Sequence, residues 1–170
     1  MFRKVASIAV AAAATALLWA GSANAQIRTA ALEPTTFKLA QAQTQNRIAL
    51  VIGNSQYQAN TPLNNPINDA QAVAQVLNTA GFEVVMAFDL AKDVMKQTVE
   101  EFAARANEKG PNTVVLVYYA GHGLQVDGEN YLVPVDAKFQ AEAELPDQGI
   151  KLAEVMTALE SANSKMRIVI

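Results

Sequence analysis

His122 is the residue whose type and setting point most directly to catalysis. It is the only histidine in the chain, and it lies between Gly121 and Gly123 directly after an apolar run that ends at Tyr119. Imidazole titrates near neutral pH, so it can accept a proton and return it. The flanking glycines let the backbone turn sharply and approach a substrate. Two interpretations stay open from these residues: an acid–base catalyst, or a histidine that ends a strand with a hydrogen bond.

A nucleophile to work with this imidazole is harder to find. The sequence has no cysteine, which excludes disulfides, thiolate metal sites and a cysteine nucleophile within these 170 residues. Ser55 is a conceivable partner for His122, but the Gly-x-Ser-x-Gly motif of serine hydrolases is absent. With one histidine we expect no metal site, and without a phosphate-binding glycine motif we expect no cofactor.

The composition is typical of a globular protein with one domain. Half of the residues are hydrophobic (51%), 17% are charged, and the formal net charge is −3. A mildly acidic chain without a cluster of Lys and Arg is a poor candidate for binding nucleic acid, which depends on neutralising phosphates. We therefore expect no nucleic-acid partner.

The N-terminus has the pattern of an export signal. Arg3 and Lys4 precede an Ala-rich apolar run, and Ala23-Asn24-Ala25 supplies a small-x-small cleavage site. An uncleaved anchor is the alternative, although the run is shorter than the roughly 20 residues of a spanning helix. We interpret residues 1–25 as a cleaved signal peptide and residues 26–46 as a linker. The mature protein is then expected to be periplasmic or secreted, without a stable membrane span.

Apolar strands alternate with amphipathic helices from residue 47 to residue 170. Glycines and prolines separate the segments and mark their ends. The predicted strands are Ile48–Ile52, Phe82–Phe88, Thr113–Tyr119 and Met166–Ile170. The predicted helices are Pro66–Ala80, Asp89–Asn107 and Leu152–Ala162. Their inward faces should carry Ala70, Val73, Ala74 and Leu77 in the first helix, and Val94, Val99, Phe102 and Ala103 in the second.

This alternation predicts an α/β fold: a three-layer αβα sandwich around a mainly parallel sheet. Between Leu124 and Pro134, Asp127-Gly128 adds a short hairpin. Ligands of such sheets bind at the carboxyl ends of the strands, where the strand order reverses. Two loops are expected at that edge, the one that begins with Asn54 and the one that contains His122.

The motifs at this edge resemble those of a known family. Arg47-Ile-Ala-Leu-Val-Ile-Gly-Asn54, then Asn68-Asp69-Ala70, then Tyr118-Tyr-Ala-Gly-His-Gly123 are similar to the caspase-like cysteine peptidases, especially their bacterial and metacaspase-type members. The resemblance runs from about residue 47 to residue 170. It implies a caspase-like fold, a protein or peptide substrate and no cofactor.

The resemblance also implies roles for individual residues. His122 would be the base and proton donor of a Cys-His dyad, and the Gly123 amide would help to hold the oxyanion. In caspases the cysteine follows the histidine by about 50 residues, which falls just after Ile170. The expected domain is therefore incomplete at its C-terminus, and this chain alone should be inactive.

Four more residues are candidates for substrate binding. Asn54 and Tyr57 lie in the loop that would border the crevice, although packing also explains Tyr57. Asp127 and Asp136 would favour a basic substrate side chain, as in the metacaspase branch, although turn and strand-end roles explain them too. We assign Asp69 to the favourable charge position in the first turn of its helix.

Two functions are consistent with these residues and motifs. The first is a cysteine-type endopeptidase whose nucleophile lies just beyond Ile170. The alternative is a catalytically inactive caspase-like module that binds partners in the cell envelope. A cysteine in the strand end after Ile170 would distinguish the first function from the second.

Overall fold

The computed structural model of the protein describes residues 45–170. The predicted signal peptide and residues 26–44 of the predicted linker lie outside this range. Asn46, the last residue of that linker, already belongs to the first strand. Within residues 45–170, no helix has the length and apolarity needed to cross a membrane.

The folded chain alternates strands and helices and carries a hairpin insert. The elements are β1 (Asn46–Gly53), α1 (Pro66–Thr79), β2 (Glu83–Phe88), α2 (Lys92–Glu108), β3 (Thr113–Ala120), β4 (Gly123–Val126), β5 (Glu129–Leu132), α3 (Leu145–Gln148), β6 (Ile150–Lys151), α4 (Leu152–Glu160) and β7 (Met166–Val169). Strands β1, β2, β3 and β7 form one parallel sheet in the order β2-β1-β3-β7. The α/β prediction of a mainly parallel sheet flanked by helices is confirmed.

The sheet is covered on both faces, and the middle of its central strand β1 is apolar at five consecutive positions, Ile48 to Ile52. In β1, Ile48, Leu50 and Ile52 pack with α2 and α4. Ala49 and Val51 point to the other face and pack with α1. All five side chains are completely buried, as expected for a parallel strand between two helical layers.

Gly53 lets α1 approach the end of β1 closely. A Cβ atom at this position would lie 2.9 Å from the Pro66 carbonyl oxygen and 3.0 Å from the Ala70 Cβ atom. Any larger residue would therefore push the helix away from the strand. The short β1–α1 distance fixes where the intervening loop, residues 54–65, leaves the sheet.

A second, antiparallel sheet projects from the carboxyl end of β3. It has the order β4-β5-β6, and the predicted turn joins β4 to β5. Asp127 and Gly128 both have positive φ angles, 50° and 83°, which is the backbone of the tight turns preferred in hairpins. The sequence did not predict α3 or β6, because four and two residues are too short to show a period.

The sequence placed the helical faces correctly except at one position. Val99, Phe102 and Ala103 of α2 are buried as predicted, but Val94 is 51% exposed and Met95 is fully buried instead. The prediction for Val94 was wrong because the buried face follows the helical period back from Val99, and the residue four positions earlier is Met95. Val94 is one residue out of phase with this face.

We expect the core of the sheet to dominate stability. Val117→Ala in β3 removes two buried methyl groups from a completely buried site and should lower the free energy of unfolding by about 2 kcal/mol. Val76→Ala makes the same change at a position on α1 that is 68% exposed, so it should change that free energy by less than about 0.5 kcal/mol. Urea unfolding of the two variants tests this, and equal losses would contradict the assignment of the core.

Candidate active site

The site lies where the order of the parallel sheet reverses. From β1 the chain crosses to β2 on one side and later to β3 on the other. The loops that follow β1 and β3 therefore separate above the sheet and leave a crevice. The pair stays joined one residue beyond the strands, because the Asn54 amide donates to the Ala120 carbonyl oxygen at 2.8 Å. His122 follows at this edge, as the sequence predicted.

The His122 ring is held by the loop that follows β1. Its Nε2 atom lies 2.8 Å from the Thr61 carbonyl oxygen. Because a carbonyl oxygen only accepts, Nε2 carries a proton, and Nδ1 is the nitrogen left to exchange one. The ring also contacts Tyr57, with 4.5 Å between ring centroids and a tilt of 55°. One loop thus sets both the orientation and the tautomer of the imidazole.

Two tyrosine hydroxyls hold the backbone of His122. The His122 amide donates to the Tyr57 hydroxyl at 2.7 Å. The Tyr119 hydroxyl lies 3.0 Å from the His122 carbonyl oxygen and 2.9 Å from that of Val133. Burial raises the pKa of the Tyr57 hydroxyl and the pKa of the Tyr119 hydroxyl, so both stay protonated at neutral pH. Both tyrosines therefore offer a donor and an acceptor to their neighbours.

The two glycines beside His122 differ in what surrounds them. A Cβ atom at Gly121 would lie 2.5 Å from the Tyr119 hydroxyl oxygen and 2.6 Å from that of Tyr57. At Gly123 the nearest atom would be the Tyr131 carbonyl oxygen at 3.7 Å. Packing therefore explains the glycine before the histidine but not the one after it. The predicted oxyanion role of the exposed Gly123 amide stays a prediction.

Asn54 joins three segments beneath the site. Its side-chain oxygen accepts from the Leu90 amide at 2.9 Å, and its side-chain nitrogen donates to the Val133 carbonyl oxygen at 3.3 Å. The residue is completely buried, and Tyr57 is only 5% exposed. In the structure, both residues support His122: Tyr57 contacts it directly, and Asn54 holds the segments beneath it. Contact of either with a substrate stays a prediction.

The other two candidates for substrate binding lie away from the imidazole. Asp127 is at the tip of the hairpin, and Gly123 begins its opposite end. They are four positions apart along the strand, about 13 Å. Asp136 accepts a hydrogen bond from the Lys92 amide at 2.9 Å, which places its carboxylate at the N-terminus of α2, where a negative charge is favourable. Recognition of a basic side chain by either residue stays a prediction.

Two hollows flank His122. One, of about 230 Å³, is lined by the imidazole together with Thr61, Leu124 and Phe139 among others. The other, of about 460 Å³, lies beside Gly121 and is lined by Asn64, Asn65 and Asp69 among others. The sequence predicted a role for Asp69 only in its helix. The structure confirms that position in the first turn of α1 and adds that the residue lines this hollow.

The arrangement of a serine hydrolase is not formed. Ser55 is 2% exposed, and among the described residues its hydroxyl has no hydrogen-bond partner, His122 included. Within residues 45–170, no three His, Cys, Asp or Glu side chains lie close enough together to hold a metal ion.

Three supports of the site could not be recognised from the sequence motifs. Thr61 acts through its backbone carbonyl, which any residue type provides. Tyr119 was counted as part of a strand and of the motif that ends at Gly123, but no role was predicted for its hydroxyl. Asp89 accepts from the Ser55 and Gln56 amides at 2.7 and 2.9 Å; its φ of 52°, which Asp tolerates better than most residues, ends β2 with a turn.

Comparisons with known proteins agree with this geometry. The family described as "Caspase domain" matches residues 46–169. The human mucosa-associated lymphoid tissue lymphoma translocation protein 1 is 37% identical over 92 residues, which cover 54% of this chain and 11% of that protein. Its mouse homolog gives the same identity and coverage. The chain thus spans only about a tenth of the length of these curated relatives.

We expect Asn54→Ala to destabilise the segments that lie beneath the site. The change leaves the buried Leu90 amide without its acceptor and should lower the free energy of unfolding by about 1–3 kcal/mol. Asn78→Ala, at an exposed position of α1, is the matched control and should change it by less than about 0.5 kcal/mol. Urea unfolding followed by circular dichroism measures both. A loss no larger than that of the control would show that Asn54 does not join these segments.

Proposed function

The chain belongs to the caspase-domain family, and on that basis we propose that it is the histidine-bearing part of a cysteine endopeptidase. His122 is its acid–base residue, and a cysteine that follows β7 is its nucleophile. Family membership supports a protein substrate. The register of the β3–β7 pair is the observation that carries the position of the nucleophile.

That register supports a position near His122 for a residue that would follow Ile170. Val117 pairs with Val169, and the ladder continues as the Tyr119 amide donates to the Ile170 carbonyl oxygen at 2.9 Å. If the same offset continued, the fourth residue after Ile170 would lie opposite His122. Adjacent strands are about 4.8 Å apart, so a cysteine there is within reach of the imidazole.

The proposed chemistry is acyl transfer through a thioester. Nδ1 of His122 takes the proton of the cysteine thiol. The thiolate attacks the carbonyl carbon of the scissile bond, and the negative charge moves to the carbonyl oxygen, where the Gly123 amide can donate to it. Collapse of this intermediate breaks the C–N bond, and His122 gives a proton to the leaving amine. Water, deprotonated by the same imidazole, then hydrolyses the thioester and regenerates the thiolate. The Thr61 carbonyl on Nε2 leaves Nδ1 for these transfers.

The charge of the hollow beside Gly121 supports a preference for a basic substrate. Asp69 supplies the carboxylate among the residues that line this hollow, and it is exposed to solvent. A substrate Lys or Arg next to the scissile bond would place its cation near this carboxylate. We also propose that the protein is exported to the periplasm or secreted, on the pattern of residues 1–25 in the sequence.

The nucleophile is the first test. The reading frame after Ile170 should encode a cysteine at about the fourth codon, and the longer gene product should cleave peptides. Replacing that cysteine by Ala should abolish cleavage, and His122→Ala should lower kcat/KM at least about 100-fold. Both variants should bind substrate as before. A strand end without cysteine, or cleavage that survives both changes, would contradict the proposal and leave an inactive binding module.

Asp69 tests the substrate class. Asp69→Asn should lower the kcat/KM of a peptide with Arg before the scissile bond about tenfold, the equivalent of about 1.4 kcal/mol, and should spare its uncharged citrulline analogue. Asp93→Asn is the matched control, because Asp93 is also exposed in the first turn of a helix, α2, but does not line the hollow. Equal losses for both peptides would show that Asp69 acts only through α1.

A further inference from the structure

We propose that Tyr57 and Tyr119 are a pair of positioning residues. Their hydroxyls fix the backbone conformation of His122 and, through it, the orientation of the imidazole. This inference rests on the proposed function of His122 and adds to it the groups that hold the imidazole ready for proton transfer. Hydrogen bonds join the pair to both backbone groups of His122: the amide bonds to Tyr57, and the carbonyl bonds to Tyr119.

The hydroxyl protons can be assigned from their partners. The Tyr57 oxygen accepts from the His122 amide at 2.7 Å. The Tyr119 hydroxyl faces two carbonyl oxygens, those of His122 at 3.0 Å and Val133 at 2.9 Å. Carbonyl oxygens only accept, so Tyr119 is the donor, and its single proton is shared between the two. The 3.3 Å contact between the hydroxyls is then a bond in which Tyr57 donates and Tyr119 accepts.

These bonds close a ring on one residue. They run from the His122 amide to Tyr57, from Tyr57 to Tyr119, and from Tyr119 back to the His122 carbonyl. That carbonyl also accepts from the Val133 amide at 3.0 Å, so both of its lone pairs are used. Because each bond in a chain polarises the next, the ring resists rotation of either peptide unit of His122.

The hydroxyls are not needed to fill space. Phe at either position would keep the aromatic packing, including the contact of ring 57 with the imidazole. What Phe cannot supply is the pair of oxygens to which residue 122 is bonded. Gly121 gives independent support, because the space that its side chain would occupy already holds both hydroxyls, 2.5 and 2.6 Å from an added Cβ.

His122 can be observed directly because it is the only histidine in the chain. In the 15N-labelled chain of residues 1–170, made without a histidine tag, the ring nitrogen signals report the tautomer. The exchange rate of the Nε2 proton with water reports how firmly the ring stays on Thr61. Both signals are independent of any proteolytic activity.

Tyr57→Phe and Tyr119→Phe should each speed exchange of the Nε2 proton about tenfold or more, because the ring would leave the Thr61 carbonyl more often. Their ring nitrogen shifts should move toward the average of the two tautomers. Tyr118→Phe is the matched control: it is the adjacent residue of β3, packs on the opposite face of the sheet and should leave the His122 signals unchanged. In the longer gene product the first two variants should lower kcat about tenfold with KM within about twofold.

Unchanged His122 signals in folded Tyr57→Phe and Tyr119→Phe chains would overturn the proposal and leave the hydroxyls a structural role. If a single variant does not fold, Tyr57→Phe combined with Tyr119→Phe removes both hydroxyls while keeping the shape of the pair, and the same signals decide. Altered His122 signals in a gene product without peptidase activity would reject the proposed function alone. Normal signals in an active variant would reject the positioning role alone.

Discussion

The pairing of β1 with β3 is the constraint on which the rest of the structure depends. It places Gly53 beside Ala120, and so brings together the two loops that carry Tyr57 and His122. Since parallel strands share their carboxyl ends, the histidine and its supporting loop meet although they lie far apart in sequence. The apolar run of both strands makes this pairing, and burial on two faces fixes its register.

The groups around His122 form two layers with different roles. Asn54 and Asp89 bind backbone amides and hold the loops in place. Above them, the tyrosine hydroxyls and the Thr61 carbonyl contact the histidine itself. These contacts are uncharged: within residues 45–170 the Thr61 carbonyl and the Tyr57 ring contact the imidazole, and the hydroxyls bind its backbone. The Asp69 carboxylate lines the hollow beside Gly121 instead, which is why we propose it for a substrate charge.

The sequence predicted the layers of the fold and the location of the site, because long apolar strands and Gly-bounded helices give strong periodic signals. It placed His122 correctly from the glycines and the strand before it. It could not show Thr61, since a backbone carbonyl leaves no mark in the sequence. It indicated one role for Asp69 and not two, because a helix position is local whereas a hollow is built from distant segments. Val94 was assigned to the wrong face for a different reason: the helical period back from Val99 leads to Met95, which is buried.

The crowding around Gly121 has a consequence for how this site can diverge. Because both hydroxyls occupy the place of a side chain at that position, a substitution there has to be accompanied by changes at Tyr57, in another loop, and at Tyr119, two residues away. A side chain at residue 121 alone would clash with both hydroxyls, so the effects of these mutations are expected to be non-additive. The residues at positions 57, 119 and 121 are therefore expected to co-vary among related sequences.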